Sequence, residues 1–521
     1  MFPSTVPIPS NYFMKGNGKP SFHNFSAFEQ YLETYQISIR DPESFWHKTA
    51  EELLEWDKPF DSIRQGTFEG EDNAWFINGR LNASSNCVDR WAREKPNYPA
   101  IIYEPDEPDS PLQRTISFVE LRQEVSRAAW VLKDLGIRKG DTVAIYMPMI
   151  PEAFITLLAC SRIGAIHSVV FAGFSANALK DRTPAYPNLS RYWDIIMKHR
   201  VTQFYTAPTA LRLLKRGGDQ YVNHDMTAHL RVLGSVGEPL AANIWKWLNE
   251  VVGRGEAQVV DNYFQTETGS HVLSALAGVV PSKPGCCCLP FLGVEAAILD
   301  PAGNELPDGS EGILAIRKPT PSMCRSIWGD HARFASVYYK PYPGYYFTGD
   351  KAIRDSDGYY WIQGRTDDVI NVSAHRLSTA EIEGALLEHP LFAEVAVIGV
   401  PDDLTGQAVA AFVSTKLSDE ATDFPKEARV KVQQSIGKFA VPAHVIVVDD
   451  LPRTRSGKIM RRLLRKIWEG QYESLGDTST LVNPLCIDSL ITIIQIYQRH
   501  DSATTTPTHS DNHNEPILSA Q

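Results

Sequence analysis

Between residues 100 and 260 the chain switches repeatedly between two hydrophobic periods, which limits it to a sheet covered by helices. The stretch ISFVELRQEVSRAAWVLKDLGIRKGD has apolar residues three and four apart and predicts an amphipathic helix ending at Gly136. TVAIYMPM follows as a short buried strand, PEAFITLLACSRIGA as a second helix and HSVVFAGF as a second strand. The rhythm returns in SRYWDIIMKHR (helix), VTQFYTA (strand), PTALRLLKRGG (helix) and LRVLGSVG (strand). Residues 291–365 carry short strands between Gly and Pro turns. Past Asp367 a smaller α+β unit runs through TAEIEGALLEH, AEVAVIGVPD, AVAAFVST and VIVVDDLP. Residues 1–95 read as irregular and aromatic-rich, and the polar tail from about 501 as disordered.

The chain has 521 residues, 43% hydrophobic and 22% charged, with 11 Trp and 22 Phe, enough for a large core in more than one domain. The net charge of −11 and the absence of a basic run argue against a nucleic-acid partner. No apolar run is long enough to span a membrane, and MFPSTVPIPSNYFMKG lacks the layout of a secretory signal. Cys286, Cys287 and Cys288 are adjacent, whereas zinc sites use spaced pairs, so they read as small buried thiols after Pro284-Gly285. With no disulfides implied, a cytoplasmic location is expected.

The motif richest in chemistry is Pro452-Arg-Thr-Arg-Ser-Gly-Lys458-Ile-Met-Arg-Arg462. A Lys beside Gly brings a point charge to a phosphate or carboxylate, although alone the motif is equally a solvated basic loop. Tyr345-Tyr-Phe-Thr-Gly-Asp350 places a carboxylate after a Gly turn, suited to gripping two ribose hydroxyls. Gly364-Arg365-Thr-Asp367-Asp368 and Asn371-Val-Ser-Ala-His-Arg376 follow it. Upstream stand Gly234-Ser-Val-Gly237-Glu238-Pro239 and Asp261-Asn-Tyr-Phe-Gln-Thr266-Glu267-Thr-Gly269. Each alone could be a turn or a strand end; their order makes chance a poor account.

In that order the motifs resemble the adenylate-forming superfamily and, within it, the acetyl-CoA synthetase family in its filamentous-fungal form. The likeness runs from about residue 30 to 485 and includes Trp75-Phe, Asn86-Cys-Val-Asp-Arg90, Tyr146-Met-Pro-Met-Ile-Pro151, Phe171-Ala-Gly-Phe174 and Leu475-Gly-Asp-Thr-Ser-Thr-Leu481. The resemblance implies an α/β fold: a large N-terminal multi-subdomain α/β region, here truncated, plus a small mobile C-terminal α+β domain. Residues 1–95 would be the N-terminal segment of that family and 96–366 the AMP-binding domain. Residues 367–485 would be the lid domain and 486–521 a tail, largely disordered. The implied reaction has two halves: a short-chain carboxylate such as acetate attacks ATP to give acyl-AMP and pyrophosphate, and the CoA thiol then displaces AMP. ATP or AMP, CoA and Mg²⁺ are the implied ligands.

By the same resemblance Lys458 is catalytic in adenylation and an acetylation target. Gly237, Glu238 and Pro239 lie along adenine, and Asp261, Asn262, Tyr263, Phe264, Gln265 and Thr266 wrap the base and α-phosphate. Asp350 and Arg365 hold the ribose, and Arg376 a phosphate. Val236 and Phe264 line the acyl pocket; Ala207, Ser373, Ala374 and Gln433 fall on CoA-contacting positions; Asp367 is the hinge. Glu267 is the Mg²⁺ ligand, and a second cation site falls on the backbone of Leu387, His389 and Phe392.

The chain departs from the family pattern in one large way. After the element ending at Arg182 it jumps to Thr183-Pro-Ala-Tyr-Pro-Asn-Leu-Ser-Arg191. The skipped piece should hold the phosphate loop, the Trp-x-Thr-Gly-His segment of the acyl pocket and an Arg-Gly-Gly-Lys contact to CoA. No G-x-x-x-x-G-K-[ST] replaces them. Without donors for the β and γ phosphates, adenylation is expected to be poor, with strand edges and apolar faces bared. At smaller scale, Ala374 replaces a Gly, Gln433 an Arg and Lys438 a Pro, while Phe264 replaces a Trp and would admit an acid longer than acetate. Three readings follow: a ligase of this family in a shortened form, an impaired paralogue that acts, if at all, as a binding protein, or a ligase that keeps catalysis but takes another acid.

Overall fold

The structure is a computed structural model that describes residues 5, 28–105, 107–171, 188–372, 375–402, 406–415, 422–454, 459–476, 478 and 481–504. The junction at Arg182 and Thr183, and residues 505–521 of the tail, lie outside the described residues. By contact density the chain divides at Asp367/Asp368 into two units, 1–367 and 368–521.

In the first unit the first described elements are two helices, Phe28–Arg40 and Pro42–Leu53, where the sequence read as irregular. Asp41 starts the second: its carboxylate accepts the Ser44 N–H at 3.1 Å, and Pro42 sits at the first helical position, where no N–H is needed. A hairpin of β1 (Ser62–Thr67) and β2 (Asp72–Ile77) follows. Next come the antiparallel pair β3 (Pro99–Tyr103) and β4 (Arg114–Ser117) and the parallel pair β5 (Thr142–Met147) and β6 (Ile166–Phe171). Helix Phe118–Asp134 opens on a capping box between Ser117 and Glu120, so Ile116 and Ser117 belong to β4 and the cap rather than to the helix. Gly136 lies just past its end at φ +92°, a conformation open to Gly. Leu121, Val125 and Ala129 of this helix pack with Ile155 and Ala159 of helix Pro151–Ile163.

The strand TVAIYMPM differs from expectation. Within β5 only Ile145 is buried; Tyr146 is 64% exposed, Met149 just beyond the strand 73% and Val169 of β6 57%. Among the described residues β5 pairs with β6 alone. A parallel pair normally lies inside a wider covered sheet, so two strands leave much of their apolar surface to solvent.

A second sheet has the order β10-β9-β8-β7, with β7 (Gln203–Thr206), β8 (Val232–Val236) and β9 (Gln258–Tyr263) parallel and β10 (Leu273–Ser274) antiparallel. Helices Arg191–Lys198, Pro208–Gly217 and Ala242–Trp247 bring Trp193, Ile196, Leu211, Leu214 and Trp245 against Leu233 and Val259. Tyr31, Val280 and Cys286 pack with Val260 in a separate cluster. Cys286, Cys287 and Cys288 are buried in the loop before Leu289, as the sequence suggested, and all seven cysteines carry free thiols. A third, antiparallel sheet runs β11 (Ala296–Leu299), β12 (Glu311–Ile316), β13 (Tyr346–Arg354) and β14 (Tyr360–Arg365).

In the second unit the order is β16-β15-β18-β17, from β15 (Val369–Val372), β16 (His375–Ser378), β17 (Phe392–Asp402) and β18 (Gly406–Thr415), with β19 (His444–Val447) parallel to β18. Val395, Val397, Val409 and Ala411 meet helices Thr379–Leu387 and Phe424–Ser435 on one face. Ala396, Ile398, Ala410 and Phe412 meet helices Arg461–Trp468 and Cys486–Thr504 on the other. That last helix occupies 486–504 of the segment whose sequence read as a largely disordered tail. Ile487, Leu490 and Ile494 recur at helical spacing and are buried, each contributing about 1.5–3 kcal/mol. Among the described residues no helix is long and apolar enough to cross a membrane.

Helix Arg191–Lys198 is tied to the segment after β3 by Glu104. Its carboxylate accepts from Arg191 at 2.8 Å, Lys198 at 3.0 Å and His199 at 2.9 Å, with Arg191 and Glu104 only 5% and 7% exposed. Burial alone would raise the Glu104 carboxyl; the hydrogen bonds from His199, Arg191 and Lys198 overcome it and hold it down at about 2. A depressed carboxyl contributes stability above its unfolded value, ordinarily 4.5, and loses it as pH falls toward 2. Glu104→Gln should therefore lower stability by about 3 kcal/mol at neutral pH, a buried pair having been broken. In urea titrations the gap to the parent protein should narrow as pH falls below 4.5.

Candidate functional site

Three parallel strands end side by side: β7 at Thr206, β8 at Val236 and β9 at Tyr263. The next residues are Ala207, Gly237 and Phe264, each a position singled out by sequence. Carboxyl ends of parallel strands are where open α/β sheets bind ligands, because successive loops leave a crevice there.

Gly237 stands at φ +97° with open space around a would-be Cβ, so the turn rather than crowding calls for glycine. Gly234, inside β8, is a glycine for the opposite reason, since a Cβ there would come within 2.3 Å of the Tyr205 ring. Glu238 does not present a free carboxylate: it accepts from Thr209 and, at 2.7 Å, from Arg212 of helix Pro208–Gly217. Pro239 is exposed and Val236 half-buried. Leu240 N–H donates to Asp261 Oδ2 at 3.3 Å, which fastens this loop to β9.

Asp261 is 2% exposed, and its Oδ1 has no hydrogen-bond partner among the described residues. Burial raises its carboxyl to about 7, against weaker lowering by hydrogen bonds from Cys287 and the Leu240 N–H. Asn262 donates to the Ser235 carbonyl at 3.4 Å and accepts from Ser274. Phe264 is 39% exposed, and its inner face stacks on His271, centroids 5.4 Å apart and planes 6° apart. Thr266 is exposed at the start of the helical turn Thr266–Thr268.

Asp350 draws the rest together. Tyr263 Oη donates to its Oδ2 at 2.6 Å and Gln265 Nε2 at 3.0 Å. Arg365 is its cross-strand partner in the β13–β14 register, with 3.6 Å between Nη1 and Oδ1. Gly349, at φ +73°, lets the guanidinium lie against the backbone; a Cβ there would sit 2.7 Å from Arg365 Nη2. Gln265 also donates to the Thr348 carbonyl at 2.7 Å, so these three hydrogen bonds pin the end of β9 and the residues just past it to β13.

Glu267 fits a single-carboxylate ligand of Mg²⁺, which usually takes one or two carboxylates beside substrate phosphates. Its Oε1 accepts from Tyr338 Oη at 2.5 Å, while nothing among the described residues donates to Oε2. Among those residues no three His, Cys, Asp or Glu side chains converge on a metal site. In the second unit Leu387, His389 and Phe392 share one turn, where the Phe392 N–H already occupies the His389 carbonyl at 3.3 Å. Gln433 is exposed on helix Phe424–Ser435. Lys458, Ser373 and Ala374 lie outside the described residues. Asp367 ends the first unit and Arg376 lies in β16; only their backbones are described.

Sequence reasoning missed Thr209 and Arg212, which hold Glu238, and Cys287, His271 and Tyr338, which back Asp261, Phe264 and Glu267. No motif spacing points to them, because each acts through a contact made by the fold.

Residues 31–87 match the family model of the acetyl-coenzyme A synthetase N-terminus, and 381–458 that of the AMP-binding enzyme C-terminal domain. The AMP-binding enzyme model matches in two pieces, 88–184 and 181–328, which meet at the junction inferred from sequence. The chain is 45% identical over 630 residues to the acetyl-coenzyme A synthetase of Penicillium chrysogenum, covering 91% of this chain and 94% of that one. It is 41% identical over 647 residues to acetyl-coenzyme A synthetase 1 of Saccharomyces cerevisiae, covering 91% and 90%. The first alignment is longer than the 521-residue chain, so positions present in the relative are absent here. Among solved structures, acetoacetyl-CoA synthetase from Streptomyces lividans shares the fold with a TM-score of 0.79 at 18% identity, covering 94% of this chain and 97% of that one.

Asp261→Asn tests the buried carboxyl. A carboxyl raised in the folded state binds its proton between 3.8 and about 7, where the unfolded chain has lost it, so stability falls as pH rises through that window. The variant should lose this component: its urea midpoint should gain on the parent between pH 4 and 7 and keep a constant lead above.

Proposed function

The chain belongs to the acetyl-coenzyme A synthetase family, and on that premise we propose that it joins acetate or another short-chain carboxylate to CoA through an acyl-adenylate. The observation that carries the reading is the Asp350 cluster. A buried carboxylate, held by Tyr263 and Gln265 from β9 and its loop, stands beside Arg365 at the carboxyl ends of β7, β8 and β9. That arrangement suits the ribose of a nucleotide whose base lies along Gly237–Pro239.

In the first half-reaction a carboxylate oxygen bonds to the α-phosphorus of ATP while the bond to pyrophosphate breaks. In the second, the CoA sulfur bonds to the acyl carbon, AMP leaves with the bonding pair, and the thiol proton passes to solvent. Asp350 and Arg365 fix the nucleoside, and Gln265 and Thr266 border its α-phosphate. Lys458 supplies positive charge as negative charge builds at phosphorus, Arg376 takes a phosphate, and Asp367 is the hinge. Ala207, Ser373, Ala374 and Gln433 border CoA. Bound Mg²⁺ would be held by Glu267 and would neutralise phosphate charge. Phe264, with Val236, sets the depth of the acyl pocket.

Triphosphate binding is where this chain differs from its relatives, since the absent positions fall at residues 181–184. The adenosine subsite is built from residues outside that break. Asp350→Ala should therefore weaken AMP binding about 10–100-fold in calorimetry, the loss of hydrogen bonds to a charged group. Acetate-dependent ATP–pyrophosphate exchange should run at least about 100-fold slower than in the Penicillium relative, as when one oxyanion donor is removed. Absence of any AMP release with acetate, propionate or butyrate and CoA would overturn the ligase reading; exchange at the relative's rate would overturn the account of the missing phosphate site.

A further inference from the structure

Tyr338 closes helix His331–Tyr338, seven residues before the Tyr345–Asp350 motif and outside every motif of the site. Its Oη donates to Glu267 Oε1 at 2.5 Å. Its ring lies flat on Tyr346, centroids 5.2 Å apart and planes 3° apart. Tyr346 is fully buried, and its own Oη donates to Gln265 Oε1 at 3.0 Å. Gln265 in turn donates to Asp350. Side chains in contact thus run from the ribose-holding carboxylate to Glu267.

The backbone of Glu267 is fixed separately, because its carbonyl accepts the Cys324 N–H at 2.8 Å. Its carboxylate is fixed by Tyr338 alone among the described residues. The donor type matters. A Lys or Arg here would cancel the charge that draws a cation, whereas a phenol orients the carboxylate and leaves its charge intact.

We propose that Tyr338 is a positioning residue for the site's divalent cation: it holds Glu267 through Oε1, leaving Oε2 free to take the metal. This rests on reading Glu267 as the protein's Mg²⁺ ligand.

The test uses the full chain with ATP and Mn²⁺ as the probe, followed by water-proton relaxation, which separates protein-bound Mn²⁺ from Mn²⁺ on free ATP. Tyr338→Phe keeps the ring on Tyr346 and deletes only the hydroxyl. It should weaken Mn²⁺ binding about 10–100-fold, as losing the partner of a metal ligand typically does. AMP affinity and melting temperature should stay unchanged. Glu267→Gln should abolish the relaxation enhancement. If Tyr338→Phe keeps full Mn²⁺ affinity while Glu267→Gln loses it, the positioning role fails and the reading of Glu267 stands. If Glu267→Gln also keeps it, the reading of Glu267 itself fails, and the proposal with it. If Tyr338→Phe loses AMP affinity and melting temperature along with Mn²⁺, Tyr338 is a packing residue and the proposal is overturned.

Discussion

The Asp350 carboxylate is where a parallel and an antiparallel sheet meet, and the candidate site depends on that meeting. It arrives on β13 and accepts hydrogen bonds from Tyr263 at the end of β9 and Gln265 just beyond. With 8% exposure it sits in a low-dielectric setting, where these bonds are strong and an unmade one is costly. Two sheets packed only by apolar contacts could slide by a fraction of an ångström. A carboxylate shared between them fixes how the end of β9 sits against β13 and β14.

The first unit is uneven in a way that follows from what its sheets lack. The sheet of β7 to β10 buries all but the last residue of β9. The β5–β6 pair leaves Tyr146 and Val169 more than half exposed. The difference is cover: helices and the 275–289 loop close around β9, whereas β5 and β6 have no third strand among the described residues. The break in the AMP-binding match falls between β6 and β7, next to the strand pair left bare.

The second unit is held by a different device. Asp368, its first residue, accepts from Arg465 and, at 3.4 Å, from Arg461 Nη1; Arg461 also grips Glu383 through Nε and Nη2. Glu383 further accepts the Val397 N–H at 2.8 Å. The start of the unit, helix Thr379–Leu387, β17 and helix Arg461–Trp468 are thereby joined around partly buried charges. Breaking one partner would strand the others without compensation.

The family, the βα alternation and the order of the motifs were legible in the sequence, because hydrophobic period and Gly-flanked polar residues are local properties. Gly349 could be marked as a turn residue on that basis alone, with Asp350 after it as a candidate to grip ribose. Local pattern also misled: the aromatic N-terminal segment hid two helices, and the polar end of the tail drew attention from Ile487, Leu490 and Ile494. What the sequence by itself determined is which elements form and which reaction class they serve. What only the tertiary structure decided is who holds whom: Cys287 on Asp261, Arg212 on Glu238, Tyr338 on Glu267. Those pairs lie about 25 to 70 residues apart along the chain, and no local period encodes a contact made only when separate elements pack.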